Sequence, residues 1–155
     1  MTLEAEEFCI TDEARSILQR YTKLTDYKIE FLAGEDVLVY ADRSKISQVI
    51  YNLVNNAITY TGPEKKVTVY QTAHDNMVRI AVQDTGEGIP ADQLKDIWNR
   101  YYKVDKEHKR AQVGTGLGLS IVKSILELHQ SPFGVQSELG KGSIFWFELP
   151  IFTDD

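Results

Sequence analysis

The sequence predicts an α+β fold: a two-layer α/β sandwich in which about three helices cover one face of a mixed, mostly antiparallel sheet. Three observations carry this. Segments of helical period alternate with segments of period two along the chain. Turn signals at Asp75-Asn76 and at Gly140-Lys141-Gly142 each join two period-two segments, which makes both pairs antiparallel hairpins. No internal repeat or low-complexity linker interrupts the pattern, and 155 residues with 43% hydrophobic content suit one domain over 1–155.

The elements follow in order. Glu7-Phe8-Cys9-Ile10 reads as a strand. Thr11 is placed to cap a helix over 12–24, with Ala14, Ile17, Leu18 and Tyr21 on its apolar face. Strands are expected at 28–31 and 37–40, with Gly34-Glu35-Asp36 as the turn between them. Asp42 caps a helix over 43–60, whose Ile46, Val49, Ile50, Leu53, Ala57 and Ile58 keep helical spacing. Thr61-Gly62-Pro63 stops it. Strands at 66–71 and 78–82 flank the first hairpin turn, and Pro90 opens a short helix that ends before Tyr101. Residues 103–113 are polar, charged and unpatterned, a loop of the length that binding lids use. A helix over 117–129 then buries Leu119, Val122, Ile125 and Leu126 or Leu128, and strands at 135–138 and 143–149 close the chain.

Composition narrows the function. The net charge of −6 argues against non-specific nucleic-acid binding. Basic residues nevertheless concentrate at Arg100, Lys103, Lys106, Lys109 and Arg110, which suggests a local anion site. Cys9 is the only cysteine, so neither an internal disulfide nor a cysteine zinc cluster is available and a reducing compartment fits. The acidic start lacks a signal-peptide pattern, and no apolar run nears the ~20 residues that span a bilayer. The expectation is a soluble cytoplasmic domain without direct membrane contact, whose parent is anchored in the cell membrane.

Two glycine-rich motifs bracket that basic stretch: Asp84-Thr85-Gly86-Glu87-Gly88-Ile89 and Gly114-Thr115-Gly116-Leu117-Gly118-Leu119. Glycines let backbone approach a ligand and present bare N–H groups. Asp84 at a strand end suits a hydrogen bond from an exocyclic amine, with a purine lying against Gly86 and Gly88; the competing reading is a turn that only connects elements. The second motif opens a helix, whose N-terminus attracts phosphate. Its spacing is neither the Rossmann fingerprint nor a Walker loop, and the competing reading is a hinge. Asn52 and Asn56 stack their amides on one helix face, extended by Gln48 and Thr59. Amide oxygens suit Mg²⁺; a solvated helix face is the alternative. His74, His108 and His129 read as surface residues, and Trp98, Tyr101 and Tyr102 as aromatics that seat the lid.

In order, these pieces resemble the catalytic, ATP-binding domain of bacterial sensor histidine kinases, within the ATPase group shared with gyrase, the Hsp90 chaperones and MutL. The N box is similar to Asn52-Leu53-Val54-Asn55-Asn56-Ala57-Ile58-Thr59-Tyr60-Thr61, and the first glycine box to Asp84 through Ile89. The F box is similar to Ile97-Trp98-Asn99-Arg100-Tyr101-Tyr102-Lys103, the second glycine box to Gly114 through Leu119, and the closing glycine turn to Gly140-Lys141-Gly142-Ser143. The likeness covers about residues 41–150, and five boxes in the right order are specific.

The resemblance implies roles. Asn56 would ligate Mg²⁺, with Asn52 assisting or contacting phosphate. Tyr60 would flank the base, and Asp84 would bind the adenine amine with help from Ser143 through water. Gly86, Gly88, Ile89, Gly114, Thr115, Gly116, Leu117, Gly118 and Leu119 would shape the pocket and lid hinges, and Lys103 would contact phosphate. Thr59 and Asn99 stand where the family carries a base and an acid, and Trp98 and Tyr101 replace phenylalanines. A dimerisation segment with a motif like His-Glu-Leu-Arg is not found before residue 41. The implied function is transfer of the ATP γ-phosphate to a histidine on a separate dimerisation and phosphotransfer domain, for relay to a response regulator. A Ser/Thr kinase of the anti-sigma type and a non-catalytic regulatory module are the alternatives. A gyrase- or chaperone-like ATPase is disfavoured, because those enzymes carry a glutamate at the position of Asn52 to activate water.

Overall fold

Alternation along the two longest antiparallel strands decides which side of the sheet is covered. The computed structural model describes residues 2–99 and 118–153. Its strands are β1 (Glu6–Cys9), β2 (Lys28–Leu32), β3 (Leu38–Ala41), β4 (Lys66–His74), β5 (Met77–Asp84), β6 (Phe133–Glu138) and β7 (Gly142–Pro150), and its helices are α1 (Ile10–Gln19), α2 (Arg43–Tyr60) and α3 (Gly118–Leu128). In β5, Val78, Ile80, Val82 and Asp84 are buried between half-exposed Arg79 and Gln83. They pair with Leu149, Phe147, Phe145 and Ser143 of β7, so on these two strands one face of the sheet is apolar until its last row.

The main sheet has the order β2-β4-β5-β7-β6. β2 runs parallel to β4, and the other neighbours are antiparallel. Helix α2 packs on β4 and β5 and lies between α1 and α3. It buries Ile46, Val49, Ile50, Leu53, Val54 and Ala57; each of the larger ones contributes about 1.5–3 kcal/mol. Asp42 caps α2, as the sequence predicts, by accepting from the Lys45 amide at 3.1 Å. Asp75 and Asn76 adopt φ of 50° and 64°, as a two-residue hairpin turn of the primed type requires. The predicted α+β sandwich is therefore present, with its three helices and mostly antiparallel mixed sheet.

The N-terminal third differs from expectation. Helix α1 starts at Ile10, and its cap is the Cys9 sulfur, which accepts from the Asp12 amide at 3.5 Å. Thr11 is one residue inside and fully buried. Its hydroxyl donates to Gln71 Oε1 at 2.7 Å and accepts from the Val37 amide at 2.9 Å, so it is committed to tertiary contacts. Helix α1 ends at Gln19, five residues early. The following amides of Arg20, Tyr21 and Thr22 bond three residues back, and the Thr22 hydroxyl holds the Gln19 carbonyl at 3.1 Å. The turn at residues 34–36 does not join a hairpin. β2 pairs with β4, and β3 pairs with β1 in a separate two-stranded sheet, because Thr11 and Gln71 hold the intervening loop at the Val37 amide and the Glu35 carbonyl. The short helix expected after Pro90 is two 3₁₀ turns, Ala91–Gln93 and Asp96–Trp98.

Candidate functional site

The first glycine motif begins where β5 ends, and the β6–β7 hairpin clamps it. The Glu87 carbonyl accepts from the Gly140 amide at 2.8 Å, and the Ile89 amide donates to Ser137 Oγ at 2.7 Å. Asp84 is 1% exposed, and its Oδ1 accepts from the Gly86 amide two residues on, at 2.9 Å. That local bond orients the carboxylate on its strand end.

Gly86 and Gly88 have protein-internal reasons to be glycine, in addition to the purine contact inferred from sequence. A Cβ on Gly86 would lie 1.8 Å from the Tyr60 carbonyl oxygen, so the bare Cα lets the turn approach the last residue of α2. Gly88 has φ +80°, and its Cβ would lie 2.3 Å from the Glu138 carbonyl. Ile89 is a core residue at 1% exposure. Thr61 completes the junction: its hydroxyl donates to the Lys66 carbonyl at 2.7 Å and accepts from the Thr85 amide at 3.3 Å.

Helix α2 brings the amides to the same region. Asn52 and Asn56 are both half-buried, one turn apart. Asn52 Nδ2 donates to the carbonyl of Gly118, the first residue of α3, at 3.4 Å. Asn55 is turned elsewhere: its Oδ1 accepts from the Tyr21 hydroxyl at 2.7 Å, and burial pushes that phenol's pKa up. Gln48 lies in a 630 Å³ groove with Glu13, Arg43 and Tyr51. Thr59 is exposed.

Helix α3 begins at Gly118, whose Cβ would meet no described atom within 4 Å, and its first turn carries no acid. Leu119 packs partly against the core. Lys103, Gly114, Thr115, Gly116 and Leu117, with the expected loop over 103–113, Arg100, Tyr101, Tyr102 and His108, lie outside the described residues. Trp98 is described. Its ring meets Phe133 edge-on at 5.1 Å and Phe145 at 5.7 Å; the lid it is expected to seat lies outside the described residues.

Ser143 pairs with Asp84 across β5 and β7 and is 2% exposed. Its hydroxyl lies 2.7 Å from that of Ser137, the next residue in the same row on β6. The sequence reading passes over Ser137, although the alternation Phe133, Val135, Ser137 already places it on the covered face. It also misses His129, expected at the surface. The His129 ring is half-buried; Nε2 accepts from the Asp42 amide at 3.1 Å while Nδ1 donates to the Ile125 carbonyl at 2.9 Å.

A buried carboxylate at a strand end, and two stacked amides of which one bonds to the start of a helix, are groups that can hold a ligand with a polar head and an anionic tail. The family described as Histidine kinase-, DNA gyrase B-, and HSP90-like ATPase matches residues 41–153. The chain belongs to this family. Within these ATPases it is 37% identical over 150 residues to the sensor histidine kinase RppB of Synechocystis sp., covering 94% of this chain and 33% of that one. The domain thus spans about a third of the length of that curated relative. It superimposes on the catalytic domain of histidine kinase ThkA with a TM-score of 0.80 at 30% identity, over 95% of this chain and 97% of that one. ThkA has also been solved in complex with the response regulator protein TrrA; that structure gives a TM-score of 0.77 at 29% identity, covering 97% and 42% of the two chains. Full-length ShkA in complex with AMPPNP gives 0.83 at 28% identity, covering 99% and 32%. Among its described residues this ATPase domain has no helix long and apolar enough to cross a membrane.

Proposed function

We propose that this domain binds Mg·ATP and donates the γ-phosphate to a histidine on the dimerisation domain of a two-component sensor kinase, for relay to a response regulator. The observation that carries the reading is Asp84, a buried carboxylate held by Gly86 at the end of β5. The ShkA complex with an ATP analogue and the ThkA complex with a response regulator support it.

In this reading Asp84 accepts from the exocyclic amine of adenine, and Tyr60 flanks the base. The amide oxygens of Asn52 and Asn56 are neutral, hard donors on one half-buried helix face, a set that fits Mg²⁺ with its shell of water. Asn56 is the ligand and Asn52 supports it or contacts phosphate. Mg²⁺ held by these amides would supply positive charge against the negative charge that develops on the phosphates in transfer. The bare Cα of Gly118 and the start of α3 give the phosphates a close approach to backbone N–H groups. Lys103 and the glycines of 114–118 complete the phosphate side. Asn52, an amide, does not take a proton from water, so slow intrinsic hydrolysis is expected while a partner imidazole attacks phosphorus.

Titration of the domain with ATP, with and without Mg²⁺, tests the binding half. Failure to bind at millimolar concentration in both conditions refutes it. Mixing with a dimerisation domain tests the transfer half: an acid-labile phosphoproduct is expected, and an acid-stable one indicates a Ser/Thr kinase instead.

A further inference from the structure

On β5, β7 and β6 the last row of the covered face is polar where the rows above it are apolar. Asp84, Ser143 and Ser137 lie side by side on β5, β7 and β6, in register and on the same face. Asp84 and Ser143 are almost fully buried, at 1% and 2% exposure. The arrangement of hydrogens in this row follows from counting. A serine hydroxyl has one hydrogen and two lone pairs. Ser137 Oγ lies 3.0 Å from the Gly142 carbonyl, which only accepts, so Ser137 donates there. The Ile89 amide, which only donates, takes one of its lone pairs at 2.7 Å. The remaining contact is with Ser143 Oγ at 2.7 Å, and Ser137 has no hydrogen left for it. Ser143 is therefore the donor in that pair. Its hydrogen is turned toward β6, and its lone pairs are turned to the side of Asp84.

We propose that Ser137 is a positioning residue that holds Ser143 as an acceptor beside the Asp84 carboxylate, so that the base end of the site selects a purine bearing a 6-amino group over one bearing a 6-oxo group. The inference rests on the Mg·ATP reading and adds its base specificity. Two neighbouring acceptors match an –NH₂ group, which brings two hydrogens, directly or through one water. A carbonyl oxygen in the same place meets two acceptors and leaves buried groups without a donor, the kind of mismatch that costs a binding site most. Ser137 reaches this end of the site only through Ser143, since its other two bonds go to backbone.

The experiment is a titration of the domain with ATP and with inosine triphosphate, which carries oxygen at the 6 position. The readout is the ratio of the two dissociation constants. In the parent, ATP binds more tightly, by roughly tenfold or more. Ser137→Ala leaves Ser143 able to turn and donate, so the ratio falls several-fold toward one. Ser137→Thr keeps the hydroxyl and keeps the ratio. Ser143→Ala, which leaves Ser137 its bonds to Gly142 and Ile89, lowers the ratio by a similar factor and tests the idea even if Ser137→Ala folds poorly. Adding Ser137→Ala to Ser143→Ala changes the ratio no further. A purely structural role for Ser137 weakens both nucleotides equally, and that outcome overturns the inference; so does an unchanged ratio in Ser143→Ala. A parent that binds both nucleotides alike also overturns the inference, whereas a parent that fails to bind ATP overturns the ATP reading itself.

Discussion

Replacing Asp42 by asparagine keeps the shape of the cap on α2 and removes its charge. The carboxylate accepts from the Lys45 amide at 3.1 Å, the Lys45 ammonium at 3.0 Å and the Glu4 amide at 2.9 Å. Burial alone would push its pKa up; these three donors overcome that and hold it at about 2 instead of 3.8. At neutral pH such a difference is worth at most ~2.5 kcal/mol. The Lys45 side chain is 23% exposed, so solvent screening brings the expected cost of Asp42→Asn to about 1–2 kcal/mol. The folded-state pKa is depressed, so this stability is fully present above pH ~4 and fades as pH falls through about 2, with about half gone at pH 3. Urea unfolding of parent and variant at pH 7, 5 and 3 measures it. A difference that stays constant from pH 7 to pH 3 refutes the assignment of the low pKa to these bonds.

Further outcomes are expected at the site. Gly86→Ala places a methyl group on the Tyr60 carbonyl, where the present gap would leave 1.8 Å; it should cost about 3 kcal/mol, and an unchanged thermal midpoint refutes the close approach. Gly118→Ala meets no described atom, so stability should hold or rise by up to ~1 kcal/mol. Calorimetry should nevertheless show weaker ATP binding, and unchanged affinity means that the ligand does not need the bare Cα. Asp84→Asn should weaken ATP roughly 10- to 100-fold with or without Mg²⁺, whereas Asn56→Ala should lose mainly the Mg²⁺-dependent part, about tenfold; equal responses of both variants to Mg²⁺ refute the division of labour. Leu53→Ala, in the buried stripe of α2, should cost about 2–5 kcal/mol in denaturant unfolding.

The parts of the fold that were legible in sequence are those set by local chemistry. Helix α2 announces itself through Asp42 and a long apolar stripe, and β4–β5 through a turn that asks for left-handed residues at Asp75 and Asn76. Pairings between distant segments were not legible. Nothing local to residues 28–41 says that β2 will run parallel to β4 while β3 joins β1, because that choice is made by Thr11 and Gln71 across the core. Asp84 and the Asn52–Asn56 pair were visible as candidates, since a carboxylate at a strand end and amides at helical spacing are local patterns. Asn55, similar in sequence, turned out to belong to Tyr21. Ser137 and His129 escaped because their partners, Ser143, Ile89 and Asp42, are assembled only by the tertiary fold.

The His129 bond gives α3 the mechanics of a lever. Its far end is pinned: the ring bridges the Ile125 carbonyl and the Asp42 amide, at 2.9 and 3.1 Å. At its near end, among the described residues, Asn52 makes the longer 3.4 Å contact to Gly118. Eleven residues make an arm of about 16 Å. A rotation of about 5° about the pinned end then carries the start of α3 by a little over ~1 Å, enough to break the Asn52 contact while the fulcrum stays in place. Sliding α3 along α2 would instead break both ends at once. Spin-label distances from α2 to each end of α3, taken with and without nucleotide, distinguish the two: a pivot changes only the Gly118 end, and equal changes at both ends rule it out.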